Sequence, residues 1–296
     1  MAHLMNTREV AEYLRIKERK VYDLVRQKKI PCTRVTGKWL FPKHLIDLWL
    51  TEGSEFPELA RNIGRPAPAV VVGSHDPLLE WAIRESGCEL AMMAGGSLDG
   101  LQRLVAGDAV VCGLHVLDAD SGSYNQAVVT EACTGLDVVL IEWSWRDQGL
   151  VLAPDNPLAI NSITDLRDKN ARVIGRQDEA GSQMLLVHLL LEVGVKLDEI
   201  DFLAEPARSE TDLGLAVLEG KADAGLAVAT VAHNYRLDFL QLHRERYDLL
   251  VRRRDYFEAP VQKLLAFTRS DAFAARAAEM PGYDCSGLGR VAYNGP

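Results

Sequence analysis

From Ala69 onward the chain alternates short apolar runs with stretches of helical period, and few architectures accept that alternation. The strand-like runs are AVVVG (69–73), CELAMMA (88–94), DAVVCGL (108–114), LDVVLIEW (136–143), GLVLA (149–153), ARVIG (171–175) and ADAGLAVA (222–229). Between them lie DPLLEWAIRES, LDGLQRLVAG, GSQMLLVHLLLEVG and ETDLGLAVLEG, each amphipathic or apolar over helical length. Strand and helix in turn predict an α/β layer structure with a mainly parallel sheet. A chain of 296 residues has room for this and for a second, smaller domain.

The first fifty residues carry the opposite charge from the remainder. Through Leu50 there are 11 Lys and Arg against 5 Asp and Glu; the rest holds 22 against 37, which yields the formal net charge of -9. A basic head on an acidic body is expected where one part touches a polyanion and the other does something else, although a solvated helical hairpin has the same composition. Thr7 is placed to cap a first helix with Val10, Ala11 and Leu14 on its apolar face. After RIKER, a second helix over 19–27 turns Val21, Leu24 and Val25 to one side and bears Lys17, Arg19, Lys20, Tyr22 and Arg26. Two short helices joined by a tight turn have the form of a helix-turn-helix, whose second helix enters the major groove. Thr33–Val35 and Trp39–Phe41 flank Gly37 and Lys38 as a small hairpin, and a last helix over 44–50 is expected to bury Leu45, Leu48 and Trp49. TEGSEFPELARNIGRPAPAV then loses periodicity and reads as a stiff spacer.

Three strand-to-helix joints in the body are rich in Gly and hydroxyls: Ser74 in GSHDPLLEW, Ser97 in AGGSLDGL and Ser182 in EAGSQMLL. A helix start with a hydroxyl beside it suits an anion or carboxylate, and open α/β sheets bind solutes at such joints. Each alone is equally an ordinary N-cap. Five scattered cysteines and seven histidines show no metal-ligand spacing, so no metal and no cofactor are expected. There is no G-x-S-x-G, P-loop or H-E-x-x-H, and no catalytic residue is assigned. His188 is expected in the core; His75 stands next to Ser74 without an evident role. Trp143 and Trp145 share one side of an extended segment, filling a core or stacking on a solute. No membrane span or leader is expected, which suggests a cytoplasmic protein.

The head resembles the excisionase-type, MerR-related winged helix-turn-helix family through TREVAEYL, RKVYDLVR, KKIP and DLWL. The resemblance implies that Lys17, Arg19, Lys20, Tyr22 and Arg26 face double-stranded DNA, with Lys38 of the wing reaching a phosphate or the minor groove. The remainder, from about Val70, resembles the type 2 periplasmic-binding-protein-like domain related to molybdate-binding proteins. The residues that carry it include GSHDPLL, GGSLDGLQRLVAGDAVVCGLHVLDADSGSYNQ, WRDQGLVLAPDNP, Arg176-Gln177, LEGKADAGLAV, LDFLQLHRERYDLLV and PGYD.

The implied fold is α/β: a small winged head (1–52), a spacer (53–67), and two lobes, one from 68–148 with 238–296 and the other from 149–237. The implied solute site holds Ser74, Ser97, Tyr124, Arg146, Arg176 and Ser182, with His115 nearby. Two departures bear on the solute. Ala180 and Gln183 stand where relatives have a hydroxyl and an arginine, and Glu210 stands where they have a histidine. If Glu210 faces the cleft, a dianion such as molybdate or tungstate is disfavoured and an amine or neutral polar organic solute fits; if it faces solvent, the change is without effect. The expectation is a cytoplasmic, homo-oligomeric one-component transcription regulator. An oxyanion store with a vestigial head and an architectural DNA-binding factor stand as alternatives.

Overall fold

The computed structural model describes residues 4–35, 37–52 and 67–295. The chain divides into two compact units, Met1–Ile63 and Gly64–Pro296. Apart from Ala67, the expected spacer lies outside the described residues.

The head opens with a two-residue strand, β1 (Leu4–Met5), that the sequence pattern did not announce. Asn6, not Thr7, caps α1 (Thr7–Tyr13): its extended backbone lies outside the helix while its side chain accepts from the Arg8 and Glu9 amides, and Glu9 returns a bond to the Asn6 amide. Thr7 is already helical and cannot play that part. Arg15, in the left-handed region, turns the chain into α2 (Glu18–Arg26). β2 (Thr33–Val35) and β3 (Lys38–Pro42) form the expected hairpin, and β1 pairs with the far side of β3. The last helix, α3 (Lys43–Glu52), buries Ile46 and half-buries Trp49, while Leu45 and Leu48 are exposed. Residues three apart reach the same small core of Met5, Val10, Ala11, Val21, Ile30 and Phe41; their neighbours on the helix cannot.

The body starts with β4 (Val70–Gly73), α4 (Pro77–Glu85), β5 (Ala91–Ala94), α5 (Ser97–Ala106), β6 (Val111–Leu114) and α6 (Gln126–Ala132). A 15-residue strand, β7 (Val138–Leu152), carries the chain into a second lobe. That lobe holds α7 (Asp165–Asp168), β8 (Arg172–Val173), α8 (Gly181–Glu192), β9 (Asp201–Phe202), α9 (Glu210–Leu218), β10 (Ala224–Val228) and α10 (Ala229–Tyr235). An equally long strand, β11 (Asp238–Arg252), returns to the first. The chain finishes there with α11 (Arg253–Tyr256), α12 (Ala259–Phe267), α13 (Asp271–Ala278), β12 (Tyr283–Asp284) and β13 (Val291–Asn294).

One sheet of order β5-β4-β6-β11-β7-β10-β8-β9 runs through both lobes. Its two ends are parallel as expected, and its centre is antiparallel because β7 and β11 cross between lobes in opposite directions. The apolar runs at 136–143 and 149–153 are thus one strand, and β11 was not among the expected strands. Separate apolar clusters cover the two faces in each lobe, such as Leu78, Trp143 and Phe273 in the first and Leu166, Leu186 and Leu226 in the second.

The close fit of α5 on β4 sets the position of the Ser97 helix start. A Cβ on Gly100 would stand 2.2 Å from the Gly73 Cα. Gly100→Ala is expected to destabilise the body by about 1–3 kcal/mol, read as a lower urea midpoint at unchanged slope.

Candidate ligand site at the lobe junction

The crossing ladder is apolar at both ends and polar in its middle. Register shifts between Gln241 and His243 and between Tyr247 and Asp248 bracket five pairs, of which the alternate three are Gln148 with His243, Arg146 with Glu245, and Ser144 with Tyr247. Alternation puts these six side chains on one face of the sheet. Five of them are fully buried, and His243 is half-buried. A charge so placed is tolerated only when paired and hydrogen-bonded.

Arg146 has that company. Its Nη1 donates to Asp76 Oδ2 at 2.8 Å, its Nη2 donates to Glu245 Oε1, and its guanidinium lies 4.4 Å from the centre of the Tyr247 ring. Asp76 caps α4, accepting from the Leu79 amide, and also receives Trp143 Nε1 and the Tyr283 hydroxyl. Trp143 is therefore core, and Trp145 stands half-buried with its ring edge to Tyr124. Burial alone would raise the Glu245 pKa, but the charge of Arg146 and the His115 contact hold it down to about 2. Arg146 is opposed by burial too, yet Glu245 and Asp76 keep its pKa well above the ordinary value. Arg146 is thus a neutralised structural cation, with only its Nε unpartnered.

Glu245 continues the network to the expected serines. Its Oε2 lies 2.6 Å from His115 Nδ1, and His115 Nε2 lies 2.7 Å from Ser74 Oγ. Ser97 Oγ accepts from the His115 amide at 3.3 Å. The histidine on Ser74 is therefore His115; His75 turns to Glu80 at 3.0 Å. Tyr124 stands at the flank, with its hydroxyl 2.5 Å from His243 Nε2. His188 is half-buried and pairs with Glu192 along its own helix, so it is not a core residue.

The second lobe contributes Arg176, Ser182 and Glu210, all buried. Arg176 follows β8, and its Nε and Nη2 donate to the carbonyls of Ala207 and Arg208. Its Nη1 is 3.8 Å from Glu210 Oε1. Glu210, the first residue of α9, is wholly buried, so its direction, left open by the sequence, is inward; its Oε2 accepts from the Val228 amide. Burial pushes the Arg176 pKa down, with Glu210 opposing. Gln183 accepts from the Arg176 amide at 2.8 Å and so positions the backbone there.

Glycines let the lobes meet. The Leu98 amide of α5 donates across the junction to the Glu179 carbonyl at 3.2 Å. A Cβ on Gly96 would lie 2.8 Å from that carbonyl oxygen, and one on Gly181 would lie 2.9 Å from His115 Nε2. Several buried polar atoms of this region make no hydrogen bond within the protein: Arg176 Nη1, Glu210 Oε1, Ser182 Oγ, Gln148 Oε1 and Gln177 Oε1. Native interiors leave few such atoms, and each is completed by ordered water or by a polar guest.

In the head, Lys17, Arg19, Lys20, Tyr22, Arg26 and Lys38 are all exposed. Arg19, Tyr22 and Arg26 follow helical spacing along one side of α2, opposite buried Val21. Among the described residues no group of His, Cys, Asp or Glu is placed to hold a metal, and no helix is long and apolar enough to cross a membrane.

A two-lobed α/β body with a central crossing pair and polar groups gathered at the crossing defines a solute-binding type of domain. The chain belongs to the PBP superfamily: that domain's family model matches residues 80–269, and a helix-turn-helix domain model matches residues 4–54. A Bacillus subtilis (strain 168) protein, "Uncharacterized protein YvgK", is 26% identical over 96% of each chain. Among solved structures, a phosphate ABC transporter substrate-binding protein from Clostridium perfringens, described as putative and with phosphate bound, is similar at 11% identity and TM-score 0.53, covering 71% of this chain and 96% of its own. The regulatory domain of MetR, a LysR-family regulator from N. meningitidis, is similar at 14% identity and TM-score 0.51, covering 73% and 95%. These two share the fold of the body.

Four partners at the junction, Asp76, Gln148, Tyr247 and Glu245, were not among the expected site residues. Glu245 depends on acid for its loss: its depressed pKa means stability present above its unfolded value near 4.5 and lost as pH falls toward 2. Wild-type stability is expected to fall by about 3 kcal/mol over that window from this residue. Glu245→Gln should be less stable at neutral pH by about 3–5 kcal/mol and show a correspondingly flatter acid limb in denaturant titrations.

Proposed function

We propose that the chain is a one-component transcription regulator of the cytoplasm, in which the head binds double-stranded DNA and the body senses a small polar solute between its lobes. The observation that carries the reading is the set of buried polar atoms without hydrogen bonds in the second lobe and on β7 at the crossing, in a chain that also holds a helix-turn-helix. Arg176, Ser182 and Glu210 would touch the solute from one lobe, and Ser74, Ser97 and His115 from the other, with Tyr124 at the flank. Arg146 would act by holding Glu245 and the crossing strands. Solute that favours the closed arrangement by a few kcal/mol would alter the placement of heads within a homo-oligomer and so shift operator affinity. The MetR likeness supports such a use of the fold, because there it serves as a regulatory domain.

The head would use Lys17, Arg19, Lys20, Arg26 and Lys38 chiefly on phosphates, with Tyr22 on the same face. A second reading is favoured by one observation: Ser74, His115 and Glu245 stand in the order of nucleophile, base and orienting acid. A fluorophosphonate that labels wild type but not Ser74→Ala would support hydrolysis. Absence of labelling favours the binding role.

The regulator reading is checked by gel shift on the DNA upstream of the protein's own coding sequence. Affinity should fall as salt rises, and Arg19→Ala with Lys20→Ala should weaken binding and lower the salt slope by about 1 for each phosphate no longer neutralised. No retardation at low salt would remove the DNA-binding half.

A further inference from the structure

The charges at the junction are already spoken for. Arg146 faces two carboxylates, Asp76 and Glu245, and Arg176 faces Glu210. Two guanidiniums thus stand among three buried carboxylates. A dianion would enter a place whose fixed charge already leans negative. The donors are short as well. Strong recognition of an oxyanion by arginine uses two parallel N–H groups. Arg176 has two of its three nitrogens committed to carbonyls, and both terminal nitrogens of Arg146 are committed to carboxylates.

What is left open is mixed and asymmetric. Glu210 Oε1, Gln148 Oε1 and Gln177 Oε1 are buried acceptors without a hydrogen bond, Glu210 Oε1 standing 3.8 Å from Arg176 Nη1, beyond hydrogen-bond distance, and they call for N–H groups. Gln148 and Glu210 are neighbours through Val228: it is the Cα partner of Gln148, and its amide is held by Glu210. Beside them, Arg176 Nη1 and the Ser182 hydroxyl make no hydrogen bond, and no side chain caps the start of α8, so that helix end can take one negative group.

We infer that the solute is a zwitterion of the α-amino-acid type, its ammonium received by Glu210 and Gln148 and its carboxylate by Arg176 and the start of α8 with Ser182. This rests on the lobe junction being the solute site. The arrangement disfavours molybdate, tungstate and other dianions, which have nothing to offer the unpaired acceptors.

The test is a thermal-shift and calorimetric titration of the full chain. The probes are the L-α-amino acids, the matching carboxylic acids without the amino group, the matching amines without the carboxylate, and molybdate, tungstate, phosphate and sulfate. At least one amino acid should raise the melting temperature, and both of its truncated analogues should bind about 10- to 100-fold more weakly. Glu210→Gln keeps an oxygen for the Val228 amide and should lose a similar factor for the amino acid. Ser182→Ala, a smaller change, should lose about 2- to 10-fold and serves if the first variant is poorly folded. An oxyanion that binds tightly while no amino acid does would overturn the solute class and leave the sensing role standing. An amine as tight as its amino acid would overturn the assignment of the carboxylate. Stabilisation by none of the probes would overturn both the class and the sensing role.

Discussion

A guanidinium buried at the centre of the sheet, between Asp76 and Glu245, is the constraint on which the body depends. An unpaired charge there would cost several kcal/mol, so Arg146 requires both carboxylates to be in place. The two come from distant parts of the chain. Asp76 belongs to the turn that starts α4, and Glu245 to the strand that returns from the other lobe. The pairing of β7 with β11, the entry of α4 and the orientation of His115 are therefore settled together. Glu245 reaches His115 and Gln148 as well as Arg146, and His115 reaches Ser74. Removing any member leaves a buried polar atom unsatisfied elsewhere in the network.

That network also explains how two lobes can share one continuous sheet and still gather polar groups where they meet. A fully apolar crossing would seal the junction. Here the middle of the crossing is polar and bracketed by two irregularities in the ladder, and the helix starts of α5 and α8 approach each other over it. Gly96 and Gly181 permit that approach because side chains at either place would strike the opposite lobe. Buried polar atoms without a hydrogen-bond partner remain at the meeting place, and under the proposed function a guest that satisfies them would stabilise the closed arrangement. On the proposed reading, ligand binding and lobe closure would be one event, which is the physical requirement for a sensor.

Much of the fold was legible. The helix-turn-helix and its hairpin followed from apolar spacing and from Gly37 between two strand-like runs. The α/β alternation followed from the runs between Ala69 and Ala229. The long crossing strands were not legible as such, because Ser144 to Gln148 and His243 to Tyr247 interrupt the apolar pattern that marks a buried strand. The interruption is the buried polar network at the crossing. Leu45 and Leu48 misled for a simpler reason: a helix on a small core can bury only a narrow stripe, and Ile46 took it. Among site residues, the serines at helix starts were marked by their neighbours. Glu245, set between Arg244 and Arg246, read as one more charge in a charged segment.

The sequence by itself determined that a basic, helical head precedes an acidic α/β body, since charge count and hydrophobic period are local properties of the chain. It also displayed the residue types available for a solute: hydroxyls at helix starts, two arginines, and Glu210. Only the tertiary structure decided which of these are paired with one another. It spends Arg146 on Asp76 and Glu245, turns Glu210 inward beside Arg176, and gives Ser74 to His115 and not to His75. The reason is that the strength and sign of a charged site depend on burial and on neighbours brought from far along the chain, and no spacing within a segment encodes either.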